Sequence, residues 1–303
     1  MIGSTSKMTV KVAFRVDACH KTGLGHLNRC LCLAHALAKA GAHCTFFCFA
    51  SDEQLLSSIR LAGFELHLGH RYVDSGEPTT VDKLKSFAQK DLQIAKKVIG
   101  KLTFDWLIID HYHLDKEWEE VFAGRFKVMV IDDLFDREHQ CDVLVDTAIH
   151  DNPKRYDSLV PTYCNKLMSP SFALLHEKFG EIRNRQHFDI QRKRRKNNLL
   201  ISVSGTDPHG WNLKILSRLG MHFELMTEWT FIVPILSSSP NLLALKDLAK
   251  STKLNVIIIQ DVADMATLIH ECKIAIGAPG VSALERCCLG VPKIGRASCR
   301  ERV

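Results

Sequence analysis

A histidine follows two closely spaced glycines near the start of the chain, at Gly23, Gly25 and His26. Glycine lets the backbone turn tightly and approach a ligand closely, and the first turn of a helix offers free N–H groups that favour phosphate. An imidazole in this position suits a general base, because its ordinary pKa lies near neutral pH. The alternative is that this histidine caps the helix or packs in the core. Three charged residues flank it and are candidate ligand contacts: Arg15, Asp17 and Arg29.

Acidic residues follow two apolar runs in the first half of the chain. Asp110 and Tyr112 follow one run, and Asp132 and Asp133 follow the next. A carboxylate at the end of a strand binds a ligand hydroxyl or orients a catalytic partner, and equally often it caps the next helix. Both interpretations stay open for Asp110 and Tyr112.

Two polar turns in the second half of the chain are candidate phosphate sites. Backbone N–H groups of the first turn could surround a phosphate; its residues are Gly205, Thr206 and Asp207. The second turn contains Gly280, and Ser282 follows in the first turn of a helix, where a pyrophosphate would lie. Glu285, one helical turn later, could accept hydrogen bonds from two ribose hydroxyls. A capping box would account for Ser282 and Glu285, but not for the glycine-rich turn before them.

Short apolar runs alternate with amphipathic stretches, which predicts strands that alternate with helices in parallel, doubly wound sheets. The predicted strands are 10–16, 44–49, 65–68, 106–110, 127–131, 143–145, 199–203, 230–235, 254–259 and 274–276. The predicted helices are 26–40, 52–62, 81–100, 116–123, 211–219, 242–249, 262–271 and 281–289. We expect an α/β protein of two Rossmann-like domains with a cleft between them. Ligands of such sheets bind beyond the carboxyl ends of the strands, where all three motifs lie.

The pattern divides the chain into four segments. Residues 8–182 are predicted to form the first domain and residues 199–293 the second. Residues 183–198 are polar and basic, without apolar periodicity, and are expected to be a solvated linker or, alternatively, a contact for a polyanion. The last ten residues, IGRASCRERV (294–303), resemble the translation of a common sequencing adapter. We therefore expect 294–303 to be a non-native tail and the second domain to be incomplete.

Charge is concentrated in two places. The chain has 303 residues, with 40 Lys and Arg against 34 Asp and Glu, a net charge of +6. Seven basic residues and one acid lie in 183–196, three Arg and one Glu lie in the last ten residues, and the rest of the chain is slightly acidic. Such local patches argue against a nucleic-acid-binding protein as a whole.

No apolar run approaches the roughly 18 residues that cross a bilayer, and no signal peptide is visible at the N-terminus. We therefore expect a cytoplasmic protein without a membrane partner. The chain has 11 cysteines and no CxxC pair, so reduced thiols are favoured over disulfides or a metal site.

Five segments together resemble the UDP-sugar hydrolases of pseudaminic acid biosynthesis and their relatives in spore-coat polysaccharide biosynthesis. The segments are FRVDACHKTGLGHLNRCLCLAHAL, LIIDHYHLDKEWE, VMVIDDLFDREHQCDVLVD, LISVSGTDP and GAPGVSALERCCLGVP. The last one recurs in nucleotide-sugar enzymes of the two-domain glycosyltransferase type. The resemblance therefore implies a GT-B-like fold.

The resemblance also implies a reaction. It is hydrolysis at the anomeric carbon of a UDP-linked 2,4-diacetamido-2,4,6-trideoxy sugar, with inversion and without a metal ion or cofactor. By position, His26 corresponds to the base that deprotonates water, and Asp17 and Tyr112 to residues that line the sugar pocket. The UDP-holding loops correspond to Gly205, Thr206, Ser282 and Glu285.

Two other functions stay open. One is a glycosyltransferase of the same architecture, in which an acceptor hydroxyl replaces water. The other is an inactive UDP-sugar-binding relative, because the phosphate turns lack hydroxyl and glycine residues that are usual in the family. The sequence does not indicate an oligomeric state.

Overall fold

A computed structural model describes residues 9–17, 25–49, 56–69, 81–148, 152–185 and 195–294, without the side chains of 81–84. Gly23, most of the predicted linker and residues 295–303 lie outside these ranges. Contacts divide the chain into a first unit of Met1–Cys19 and His26–Leu174 and a second unit of His20–Gly25 and Leu175–Val303.

Seven described strands of the first unit form a parallel sheet in the order β3-β2-β1-β4-β5-β6-β7. The strands are β1 (Lys11–Val16), β2 (His43–Cys48), β3 (Glu65–Leu68), β4 (Trp106–Asp110), β5 (Lys127–Ile131), β6 (Val143–Asp146) and β7 (Asn165–Met168). The helices are α1 (Gly25–Lys39), α2 (Ser57–Leu61), α3 (Val81–Val98) and α4 (Lys116–Glu120). The strand order reverses between β1 and β4, and ligands of open α/β sheets bind at such a switch point.

The central strands of this sheet are buried on both faces. All residues of β1 after Lys11 are buried, and Phe14 of β1 stacks on Phe46 of β2 with ring centroids 4.8 Å apart. Strands of a parallel sheet are covered by helices on both sides, so they read as continuous apolar runs. The sequence prediction therefore located β4 and β5 at their observed bounds. It also located the edge strand β3, in which two leucines alternate with polar residues.

Five described strands of the second unit form another parallel sheet in the order β10-β9-β8-β11-β12. The strands are β8 (Asn198–Ser202), β9 (Thr230–Ile235), β10 (Asn255–Gln260), β11 (Ile274–Gly277) and β12 (Lys293–Ile294). The helices are α5 (Glu177–Asn184), α6 (Trp211–Gly220), α7 (Leu242–Ser251), α8 (Met265–His270) and α9 (Val281–Cys288). Alternate residues of β8 point to opposite faces: Leu200 packs in one core cluster, and Leu199 and Ile201 pack in another.

The end of the predicted first domain lies in the second unit. The prediction placed 175–182 in the first domain, whereas α5 packs in the core cluster of the second unit through Phe179, together with Ala266 and Ile269 of α8. Lys178 of α5 also forms an ion pair with Asp264. The predicted tail begins at Ile294, which pairs with Ile276 in the sheet.

In the part of the chain that the structure describes, no helix combines the length and apolar character needed to cross a membrane. The cysteines in these ranges carry free thiols.

Candidate active site

The helix start and the end of β4 bring a histidine and an aspartate together. His26 is the second residue of α1, and Asp110 is the last residue of β4. Asp110 is in register with Val16, the last residue of β1. The His26 Nδ1 atom lies 2.5 Å from the Asp110 Oδ1 atom. The first and second sequence motifs therefore form one site at the switch point of the sheet.

Arg29 holds the same carboxylate from the next turn of α1. Its Nε donates to Asp110 Oδ2 at 2.5 Å, and its Nη2 donates to Asp110 Oδ1 at 2.6 Å. Burial by itself raises the pKa of Asp110, but Arg29 and then His26 lower it more, so that the pKa lies well below its ordinary value. Asp110 is thus a buried anion with paired contacts, and the interpretation of Asp110 as a helix cap is wrong.

The contact with Asp110 assigns a tautomer to His26, because it is shorter than the 3.2 Å separation between the same Nδ1 atom and Arg29 Nη2, which donates to Asp110. Because the Asp110 carboxylate only accepts hydrogen bonds, Nδ1 of the imidazole donates to it. Nε2 of the neutral ring is then the atom that accepts a proton. The His26 side chain is 12% exposed, so the ring is at the edge of the core rather than enclosed in it. The arrangement suits a general base whose orientation is fixed by an aspartate.

Tyr112 borders this imidazole. The two ring centroids lie 4.4 Å apart at an interplanar angle of 83°, an edge-to-face contact. The phenol bonds to Asp133, and burial followed by the charge of Asp133 raises the pKa of Tyr112. Asp133 Oδ2 also lies 3.6 Å from Arg29 Nη1. Asp133 therefore connects the loop after β5 to both neighbours of His26.

Arg15 was predicted to contact a ligand, and this prediction is wrong. Its side chain is 0% exposed and forms ion pairs with Asp91 of α3 and with Asp17. The Trp118 indole donates to the same Asp91 carboxylate at 2.9 Å, and the Arg15 guanidinium lies 4.4 Å from the centroid of the Phe49 ring. Arg15 is a core residue that joins β1 to α3.

Asp17 has partners within the protein for both carboxylate oxygens. Oδ1 accepts from the Phe49 amide at 2.8 Å, and Oδ2 lies 2.7 Å from Arg15 Nη2 and 3.3 Å from His111 Nε2. Burial raises the pKa of Asp17, but the positive charge of Arg15 lowers it by more, so that the pKa lies well below its ordinary value. His111 was not predicted as a site residue, although it directly follows Asp110. The side chain of Asp17 is 11% exposed, and its contact with a sugar stays a prediction.

A second buried carboxylate fixes the loop after β5. Asp132 is 0% exposed and accepts from the Tyr156 hydroxyl at 2.6 Å. Arg137 Nη2 lies 2.7 Å from Asp132 Oδ1. His139 is also buried and lies 2.8 Å from Glu119 through its Nδ1 atom. This network supports the loop that carries Asp133.

The first polar turn of the second unit is organised by its own aspartate. Asp207, with φ +41°, accepts from the Trp211 and Asn212 amides at 2.8 and 2.9 Å, so its carboxylate caps α6. Asp207 is 1% exposed, so its carboxylate stabilises the turn from inside, and a contact between the backbone N–H groups of this turn and a phosphate stays a prediction. The Thr206 side chain is buried with its hydroxyl 3.5 Å from that of Ser204, and the Gly205 carbonyl accepts from Leu236 at 2.8 Å.

The second polar turn leads into α9. Gly280 has φ +101°, where glycine is favoured, and is the N-cap residue of α9. Because Gly280 has no side chain and α9 begins at Val281, the capping-box interpretation is wrong. Ser282 lies in the first helical turn and Glu285 one turn later, both half-buried. Burial raises the pKa of Glu285, and Arg286 offsets part of this rise.

Gly277 and Arg286 shape this turn and were not predicted from the sequence. Arg286 is 1% exposed and donates to the Ala278 carbonyl at 2.7 Å. A Cβ atom on Gly277 would lie 2.5 Å from the Ser202 carbonyl oxygen and 2.8 Å from Arg286 Nη1. Only glycine fits between these groups. The Gly25 position is open by contrast, with no atom within 4 Å of an added Cβ.

The chain is similar to a protein whose name gives a UDP-sugar as its substrate. No family model matches it. It is 26% identical over 265 residues to the UDP-2,4-diacetamido-2,4,6-trideoxy-β-L-altropyranose hydrolase of Campylobacter jejuni, covering 86% of this chain and 82% of that protein. This alignment confirms the resemblance predicted from the motifs. It is also 23% identical to an uncharacterized protein of Methanocaldococcus jannaschii, of which it covers 55%.

Solved structures with the same fold have low sequence identity. MurG of Acinetobacter baumannii aligns with a TM-score of 0.59 at 12% identity, over 97% of this chain and 80% of that one. UDP-GlcNAc 2-epimerase of Neisseria meningitidis, bound to UDP-GlcNAc, aligns with a TM-score of 0.56 at 12% identity, over 97% and 84%. These similarities confirm the predicted fold class, a GT-B-like pair of parallel-sheet α/β domains.

Proposed function

We propose that the protein is a UDP-sugar-processing enzyme, and specifically a hydrolase that releases UDP from a 2,4-diacetamido-2,4,6-trideoxy sugar. The observation that carries this proposal is the 2.5 Å contact between His26 Nδ1 and Asp110 Oδ1, with Arg29 on the same carboxylate. The name of the similar Campylobacter jejuni protein supports the substrate class. The reaction would belong to pseudaminic acid biosynthesis in the cytoplasm, as the motif resemblance implies.

The proposed reaction begins with a water molecule held by His26. Nε2 of the imidazole accepts a proton from the water as its oxygen bonds to the anomeric carbon. The bond between this carbon and the diphosphate oxygen breaks, and its electron pair leaves with UDP. Attack on the face opposite UDP inverts the anomeric configuration. Asp110 stabilises the imidazolium that forms, since its carboxylate accepts the hydrogen bond from Nδ1–H throughout.

The second unit would bind the leaving group. Backbone N–H groups at the start of α9 favour the negative charge of a diphosphate, next to the Ser282 hydroxyl. Glu285, one turn on, would accept hydrogen bonds from the ribose hydroxyls. UDP held in this way is a good leaving group without a strong general acid, so the proposed reaction needs neither a metal ion nor a cofactor.

The test is release of UDP from the UDP-linked sugar in the absence of any acceptor. The protein is expected to release UDP, and His26→Asn to abolish release while UDP affinity stays within about twofold. His43→Asn is the matched control, because His43 is exposed at the start of β2, and it should retain full activity.

Three outcomes would contradict the assignment. Release that requires an added acceptor would indicate a glycosyltransferase instead. Turnover that survives in His26→Asn would show that another group activates the water, and binding of UDP-sugar without any turnover would indicate the inactive relative.

A further inference from the structure

Phe135 has a strained backbone conformation in the loop after β5. Its φ angle is +46°, in the left-handed region that disfavours bulky side chains. The other described non-glycine residues with positive φ are Asp207 and Asp261, and aspartate enters this region more readily. Strain of this kind persists only where surrounding contacts enforce it, and it concentrates at functional sites.

The buried Asp132 network enforces this conformation. Asp132 Oδ2 accepts from the Leu134 amide at 3.2 Å and from the Phe135 amide at 3.1 Å. The Tyr156 hydroxyl donates to the same carboxylate and accepts from the Phe135 amide at 3.2 Å. Two buried side chains therefore fix the backbone at Phe135, in the loop that follows β5.

A chain of contacts connects this loop to the imidazole. Phe135 is two residues from Asp133, which lies 3.6 Å from Arg29 and bonds to Tyr112. Tyr112 contacts the His26 ring at 4.4 Å. The Phe135 side chain is 46% exposed, although the Arg155 guanidinium lies 4.6 Å from its ring centroid. Nearly half of this residue is thus open to solvent, in the same loop that carries Asp133.

We propose that the Phe135 ring binds an apolar substituent of the sugar, such as a deoxy methyl or an acyl methyl group, and so determines sugar specificity. This inference rests on the proposed function for the identity of the sugar. An aromatic face packs well against C–H groups, and the strained backbone presents that face at a fixed position. A ring that served only to cover Arg155 would need no such presentation, and its removal would leave sugar binding unchanged.

The test measures binding without turnover, in a His26→Asn background. Calorimetric titrations give the affinity for UDP-2,4-diacetamido-2,4,6-trideoxy-altrose, for UDP-glucose and for UDP alone. Phe135→Asn is the principal variant, because asparagine tolerates the left-handed conformation and keeps the fold. Phe135→Tyr is the matched control, because it keeps the aromatic face.

Phe135→Asn is expected to weaken binding of the trideoxy sugar nucleotide about tenfold, the loss of one aromatic contact. Affinity for UDP-glucose and for UDP should change less than twofold, and Phe135→Tyr should bind all three as the background does. The melting temperature of Phe135→Asn should equal or exceed that of the background, because strain is relieved.

An equal loss of affinity for all three ligands, or no loss of affinity for any of them, would overturn the proposal. The proposed hydrolysis is tested separately, by UDP release from protein with His26 intact. The affinities of Phe135→Asn for the three ligands test the role of Phe135 whether or not hydrolysis is observed.

Discussion

At the scale of single residues, buried carboxylates at the carboxyl edge of the first sheet are paired with arginines. Arg15 pairs with Asp17, Arg29 with Asp110, and Arg137 with Asp132. The sequence predicted that Asp110 and His26 belong to the site, because each lies next to a strand end or a helix start. It could not predict that the Arg15 side chain points into the core. The partner of Arg15 on α3, Asp91, is distant in sequence, and no local pattern relates the two.

Replacing Asp110 tests how the histidine is oriented. Asp110→Asn removes the anion that accepts the hydrogen bond from Nδ1–H and stabilises the imidazolium, so we expect kcat to fall about 100-fold or more with little change in UDP affinity. Asp105→Asn is a suitable control, because Asp105 accepts from the Lys11 amide at the amino end of β1. Equal activity of Asp110→Asn and Asp105→Asn would argue against the pair.

Replacing Arg15 tests its assignment to the core. Arg15→Met leaves two buried carboxylates without their cation, so we expect a loss of about 3–5 kcal/mol in the free energy of unfolding, measured by urea denaturation. Arg185→Met removes the exposed partner of Glu181 and should cost less than about 1 kcal/mol. If Arg15→Met were as stable as wild type but no longer bound the UDP-sugar, Arg15 would be a ligand-binding residue rather than a core residue.

At the scale of elements, the sequence predicted those that carry apolar periodicity and missed those that do not. β7 has the sequence NKLM with an exposed first residue. Its two apolar residues are adjacent and do not alternate with polar ones as the leucines of β3 (ELHL) do, so no strand pattern indicated it. α5 is mostly polar and buries only Phe179. Its charged residues merge with the basic stretch that follows, which explains why the start of the predicted linker included part of a helix.

Because β8 packs closely against β11, we expect alanine at Gly277 and alanine at Gly180 to have opposite effects on stability. Gly277→Ala places a Cβ atom 2.5 Å from the Ser202 carbonyl, which should cost about 1–3 kcal/mol and weaken UDP binding. Gly180→Ala in α5 meets no atom within 4 Å and should stabilise the protein by about 0.5–1 kcal/mol. Urea denaturation with UDP titration measures both. Indistinguishable stabilities would contradict the packing.

The network around His139 predicts a pH dependence. Burial lowers the pKa of His139, but the neighbouring carboxylates of Asp132 and then Glu119 raise it more, to about 9, against the repulsion of Arg137. A raised pKa means that the folded state holds the proton more tightly. The resulting stabilisation is complete below pH 6.5 and is lost as the pH rises through about 9.

The measurement is urea denaturation at pH 6.5 and pH 9.5. Between these two pH values, the free energy of unfolding of the wild-type protein should fall by about 3 kcal/mol more than that of His139→Gln. The same pH dependence in both proteins would show that His139 is not the responsible group.

At the scale of the whole molecule, the chain consists of two α/β units, each with its own parallel sheet and core. The sequence predicted this organisation because the alternation of strands and helices starts again after the basic stretch. The proposed function assigns UDP to the second unit and the base to the first. UDP alone should therefore slow amide hydrogen exchange most at 198–210 and 277–289, with β2 unchanged, as measured by mass spectrometry. Stronger protection of β2 would contradict this assignment.

The central position of β1 has a consequence during synthesis on the ribosome. Val12 of β1 is paired on one side with Cys44 and on the other with Trp106. The nascent chain can join β1 to β2 early, but the other edge of β1 stays open until Trp106 has left the exit tunnel. Pairing over such sequence separations forms slowly, and an open apolar strand can associate with other chains. Between these two pairings the growing chain therefore exposes one edge of β1 to other chains.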